Sequence, residues 1–208
     1  MVAAVVLIVL LLGGTDVVPG LGPDRPPTPD FAFETGKVAA VPTRAGAQDS
    51  SLQAKATAAA DQVAAAMDTI YIGAFLDPAN WQEGSFDEVW DLFEEGAGAE
   101  AQQQVDTLTA GTGAGDAFDR ILPDDGVLST EVLFDQKERP YSVVAIVRFE
   151  ATGSGKGVAD DLLMKSVGQF MFQKLDGDWK VVSFRVLRND ETRAAAPSAT
   201  ASASGVTS

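Results

Sequence analysis

The 208-residue chain contains no histidine and no cysteine. Without histidine there is no Ser-His-Asp or Cys-His catalysis and no imidazole-ligated metal. Without cysteine there is no disulfide, thiolate zinc site, thiol nucleophile or lipid-modified cysteine anchor. Basic residues are scarce: 15 Lys and Arg stand against 30 Asp and Glu, a formal net charge of −15. Phosphate recognition needs clustered Lys and Arg, so no nucleic acid is expected as a partner. No metal set and no cofactor motif is present, and no cofactor is expected. A hydrophobic run long enough to span a bilayer, about 20 residues, is also missing.

What is present divides the chain into four parts. Residues 1–15 begin MVAAVVLIVLLL, apolar and uncharged until Asp16. This reads as a membrane anchor or signal segment whose start lies further upstream. Residues 16–48 carry six of the ten prolines and read as an extended spacer. The FAF at Phe31–Phe33 is its one apolar island, a candidate to dock on the domain. Residues 49–191 form the folded domain. Residues 192–208, dominated by Ala, Ser and Thr, cannot bury enough surface to offset their ordering entropy and are expected to be disordered.

Within the domain, Asp49 to Asp135 holds 18 acids against two bases, and Gln136 to Thr192 eight acids against nine bases. The acidic half is helical. Ser50 with Gln53 matches a capping box. Leu52, Ala56, Ala59, Val63, Met67, Ile70 and Ala74 recur at helical spacing, and Asp77-Pro78 ends that helix. Ser85 and Glu88 signal a second helix, broken by Gly96 and Gly98; a third is expected over 99–108. Asp87, Glu88, Asp91, Glu94 and Glu95 read as a solvated face. The second half alternates: strands are expected at 127–134, 141–150, 162–174 and 179–188, the last two joined by an Asp176-Gly177 hairpin turn. Helices followed by about four antiparallel strands make an α+β domain.

The stretch GQFMFQKLDGDWKVVSFRV, Gly168–Val186, resembles the closing hairpin of the NTF2-like superfamily, which includes SnoaL-like proteins. The long first helix and the strand meander agree with it over about residues 50–190. That resemblance implies a cone: N-terminal helices on a curved antiparallel sheet, able to enclose a pocket. The layout of apolar segment, spacer and such a domain resembles the actinobacterial Mce-associated membrane proteins, accessory to lipid-import systems. It implies an anchored domain outside the cytoplasm, or a secreted one. It also implies a protein partner in the cell envelope and contact with the membrane through the N-terminal segment; it supplies no catalytic residues, no catalytic constellation stands out in the sequence, and no catalysis is expected. A homodimer through the sheet is a further expectation. The alternative is a SnoaL-like small-molecule enzyme or apolar-ligand binder using the cone cavity.

Two local motifs have plainer readings. Thr112–Phe118, TGAGDAF, resembles the signature of ribokinase-like sugar kinases, whose glycine-rich turn opens an anion-holding helix and whose Asp is the base. Only about 90 residues follow it, and they alternate as an antiparallel sheet. It reads as a connector, with Asp116 capping a short helix at 117–121. Gly153–Gly157 lacks phosphate-loop spacing and reads as a hairpin loop. The candidate cavity or interface residues are Trp81, Trp90, Tyr141 and Trp179. Tyr141 shares a strand face with Val143, Ala145 and Val147 and is expected to point inward. Trp90 lies on the apolar stripe of the second helix, Trp179 on the last strand, and Trp81 in a polar turn, as an interface anchor or packed on the first helix.

Overall fold

A computed structural model describes residues 26–42, 50–155 and 160–194. The segment at 1–15, residues 16–25 and 43–48 of the expected spacer, residues 49 and 156–159, and the tail from 195 onward lie outside the described residues. Among the described residues, no helix is long and apolar enough to cross a membrane.

The architecture is α+β, with an open mixed sheet of five strands rather than about four. The order is β1 (Glu34–Val41), β2 (Phe118–Phe134), β3 (Pro140–Gly155), β4 (Asp160–Leu175), β5 (Asp178–Ala194). β2 to β5 form an antiparallel meander, and β1 joins its edge parallel to β2, with Ala40 opposite Val132. The additional strand comes from the stretch expected to be a spacer. Its side chains are mostly exposed, so it carries no alternating apolar signal. β5 likewise runs three residues into the expected tail.

Helix α1 (Ser50–Tyr71) forms where the apolar stripe predicts it, and every stripe residue is buried. It continues as a π-helical turn over Ile72–Leu76 and stops at Asp77. Proline does not only end that helix. Pro78 is the first residue of α2 (Pro78–Glu83), and the Asp77 carboxylate caps it by accepting the Ala79 N–H at 2.8 Å. Four short helices follow: α3 (Asp87–Trp90), α4 (Glu95–Gln103), α5 (Val105–Leu108) and α6 (Ala114–Ala117). The expected break at Gly96 and Gly98 is the interior of α4, because Glu94 caps that helix, accepting from the Gly96 and Ala97 N–H groups. Ser85 caps nothing; its hydroxyl bonds the Asp87 carboxylate, and Phe86 holds the cap position.

The strands are longer than their sequence patterns. β2 starts at Phe118, so the short helix expected over 117–121 is instead a strand entry. Pro123, which cannot donate to a ladder, sits beside a bulge. Gly153–Gly155, expected in a loop, belongs to β3. The predicted turn holds: Asp176 and Gly177 both have positive φ, 52° and 103°, as a type I′ hairpin requires. The inner sheet face, including Val132, Val143, Ala145, Val147, Phe149, Phe170 and Phe172, packs against α1 in one core.

Candidate functional site

The space between α1 and the sheet is occupied by aromatic rings. Tyr71 at the end of α1 stacks on Phe75 at 5.4 Å and meets Phe149 of β3 at 4.9 Å. Phe33 closes on Tyr71 from the segment before β1 at 5.1 Å, and Phe31 packs edge-on to Phe149 at 5.4 Å. The expected docking of the FAF island is therefore present. Phe170 continues the chain of rings to Phe184, and Phe93 reaches Phe184 from the helical side. Large apolar rings on three elements converge here because each element has one uncovered apolar side and nowhere else to bury it.

Two titratable groups lie within this packing. The Tyr71 hydroxyl is 3.0 Å from Ser166 Oγ, and burial pushes the phenol well above its ordinary range, against a smaller opposite effect of that hydrogen bond. A phenol so raised stays protonated at neutral pH and cannot act as a base. Asp68, half-buried on α1, accepts the Phe33 N–H at 2.9 Å; burial raises its carboxyl, and that hydrogen bond lowers it in part. Asp68 thus fastens the segment preceding β1 to α1, and Thr28, donating to Asp77 at 3.2 Å, fastens it a second time.

The four aromatic residues singled out in the sequence do not converge. Trp81 is fully in the core, its indole N–H donating to the Leu76 carbonyl, which removes it as an interface anchor. Trp179 opens β5 and donates to Gln62 Oε1 of α1 at 2.9 Å. Tyr141 is 47% exposed, contrary to the inward orientation expected. Phe134 of β2 pairs with Pro140 and Leu133 with Ser142, so Tyr141 falls in a bulge, and Ser142 and Val143 after it are both buried; the break in register turns Tyr141 outward against its parity. Trp90 is the exception that meets open space.

Trp90 and Phe93 form the floor of a surface groove of about 570 Å³ between α3 and α4. Asp87, Asp91, Glu94 and Glu95 line it, together with Gly98 and Gln102. These are four of the five acids expected to form a plain solvated face; Glu88 does not line the groove. The turn between α3 and α4 is pinned to the edge of the sheet: the Glu94 N–H donates to the Val181 carbonyl at 2.8 Å, and the Val181 N–H to the Leu92 carbonyl at 3.0 Å. That pairing folds the acidic turn around the two rings. The spacing Glu94-x-x-Ala97, a cap followed by small residues, was the available signal for it.

A second acidic groove, of about 300 Å³, lies between Asp30, Glu34, Asp124 and Asp125. Among the described residues, no cluster of acids has metal-holding geometry. The outer sheet face carries exposed Ile146, Val167, Met171 and Leu187, with Val167 directly opposite Leu187 and Arg148. The kinase-like TGAGDAF match resolves into packing. A Cβ on Gly115 would collide with the Gln82 carbonyl, so glycine is needed for α6 to lie against α2. Four residues of helix leave no anion-binding terminus there.

No protein-family model matches the chain, and no curated protein is similar to it.

Proposed function

We propose that the chain is a non-catalytic accessory domain, tethered to the cell membrane by its N-terminal segment and displayed outside the cytoplasm. In this reading it binds a protein partner of the envelope, as the resemblance to Mce-associated proteins of lipid-import systems implies. We infer an NTF2-like arrangement for its α+β architecture. The observation that carries the proposal is where the open surface lies. Tyr71, Phe75, Phe149 and Phe170 fill the space between α1 and the sheet, whereas an acidic groove and the exposed side chains of Ile146, Val167, Met171 and Leu187 are turned outward. A site for a small apolar molecule is expected to be an interior cavity with a few convergent polar groups.

The double attachment of residue 33 to α1 and of residue 28 to Asp77, the cap of α2, suits a tethered domain. It gives the incoming chain a set direction and keeps tension on the tether from peeling β1 from the sheet edge. The test is cross-linking in native membranes followed by co-purification and mass spectrometry. Recovery of subunits of an envelope transporter is expected. A soluble protein that brings down no partner, and protects a small apolar ligand instead, overturns the proposal in favour of a cavity binder. The homodimer expected through the sheet rests on the outer face around Val167 and Leu187. Sedimentation analysis, with Leu187→Glu abolishing any dimer, decides it.

A further inference from the structure

The geometry points to residues 28–41 as an exchangeable strap, closing a site for a partner's extended segment of the pattern aromatic–any residue–aromatic. This inference rests on the accessory reading and gives that partner a chemistry. The site is a socket at the edge of the sheet. Gly126 of β2 leaves a notch there: a Cβ would lie 2.6 Å from Phe31 Cζ and 3.1 Å from Phe33 Cδ1, so a side chain would crowd both rings out. Phe149, paired with Gly126 across to β3, meets the Phe31 ring edge-on at 5.4 Å, and Tyr71 meets the Phe33 ring at 5.1 Å. The Asp68 carboxylate accepts the main-chain N–H at the second ring. Beyond the notch, β2 offers its ladder from Val127 to Leu133. Two ring seats, an N–H acceptor and a strand edge, in that order, are the parts of strand addition: the ladder supplies affinity and the seats supply specificity.

The strap is held by little besides its two rings. No residue of β1 is buried. Its pairing with β2 is parallel, the weaker kind, and the register shifts between Thr35 and Val38. Residues 26–33 lie in no strand. The bonds from Thr28 to Asp77, from the Lys37 N–H to Ser129 Oγ and from Gln53 to the Val38 carbonyl are all exposed. Helix α1 and strands β2 to β5, by contrast, share one continuous core. Few buried apolar contacts and exposed backbone bonds put the strap at the low end of local stability, so it opens while the rest stays folded. The latches resist a pull, but a competing segment with the same two rings and N–H remakes each contact. Covalent attachment keeps the strap's effective concentration high, which is what holds the site closed in cis.

The probe is a fluorescein-labelled, end-blocked peptide copying residues 29–41, added to the full-length protein in zwitterionic vesicles. Saturable binding to the parent is expected. Phe31→Ala/Phe33→Ala in the protein empties the socket and tightens binding about tenfold or more, because a site closed in cis binds only through its open fraction. A peptide with alanine in place of both phenylalanines loses binding to either protein. The chain has no cysteine, so Ala39→Cys/Glu131→Cys adds a single pair at facing positions of β1 and β2. Oxidised within one chain, it locks the strap and abolishes binding; reduced, it binds as the parent does. This comparison decides the matter by itself should the emptied variant not fold. Amide exchange read by mass spectrometry is expected to be at least about tenfold faster over 34–41 than over 143–149 of β3. Exchange in β1 as slow as in β3, an emptied socket that binds no tighter, or undiminished binding to the locked chain overturns the inference. A disulfide joining position 39 of one chain to position 131 of another gives the site to a second copy and overturns the partner assignment. Failure here alongside recovery of an envelope partner from native membranes removes the strap and leaves the accessory reading standing. The opposite pair of results does the reverse.

Discussion

The hydrogen bond between Tyr71 and Ser166 links α1 to β4 through the centre of the core, and its energetic weight can be worked out. The two oxygens are 3.0 Å apart, and the residues are 2% and 1% exposed. Tyr71→Phe keeps the stacked ring on Phe75 and deletes only the hydroxyl, leaving Ser166 Oγ without that partner. The cost expected is about 1–3 kcal/mol, the desolvation penalty of an unsatisfied buried group. Ser166→Ala strands the phenol in the same way and costs a similar amount. The double variant removes both polar atoms, so it is expected to be close to either single variant or more stable, not doubly destabilised. Urea unfolding of the full chain at neutral pH measures all four corners of this cycle. A pH series adds a second check. The unfolded phenol ionises near its ordinary value of about 10, while burial holds the folded one protonated well above that. Its raised value therefore contributes fully below pH 10, and stability falls as pH rises further, by about 1.4 kcal/mol per unit from this group. Tyr71→Phe should flatten that limb. Strictly additive single-variant effects, or an unchanged alkaline limb, would refute the reasoning.

Four further substitutions test other parts of the structure. Arg188 donates to the carbonyls of Asp106, Thr109 and Ala110 and pairs with Asp190, tying the end of α5 to β5. Arg188→Ala should cost about 2–3 kcal/mol in chemical unfolding, and Lys should recover only part, because one ammonium cannot span the three carbonyls. Gly98→Ala places a Cβ at ordinary contact distance, 3.6 Å from Phe93 Cβ, inside α4. It should stabilise by about 0.5–1 kcal/mol, read as a raised melting temperature. Gly115→Ala drives a Cβ into the Gln82 main chain and should destabilise by about 2 kcal/mol or more. Asp68 has a raised carboxyl, so its contribution is full below the unfolded value near 4 and is lost as pH rises through the folded one. Asp68→Asn keeps an oxygen for the Phe33 N–H and removes the buried charge. At pH 7 it should be at least as stable as the parent, and a loss above about 1 kcal/mol in urea would count against this account.

Local patterns were enough for a large part of the fold. The stripe from Leu52 to Ala74 specified α1 and its buried side, since a helix against a sheet must turn one face inward. Asp176-Gly177 specified its turn, since both positions need positive φ. The alternation from Val143 to Phe149 specified the inner face of β3. The acids around Trp90 were visible as charges, but not as the wall of a groove.

Other features were decided only by tertiary structure. β1 has a mostly exposed, weakly patterned sequence. It exists because a strand more than 80 residues later offers its edge, and because Phe31 and Phe33 dock on rings from α1 and β3. Tyr141 followed a bulge against β2 rather than its parity, and Gly96 and Gly98 stayed helical because Glu94 capped the turn that Val181 holds in place. Periodicity reports which side of an element is buried, a property of neighbours three or four residues apart. Which element does the burying, and which polar groups are left facing outward, depends on residues tens of positions away, and so only the assembled chain determines it.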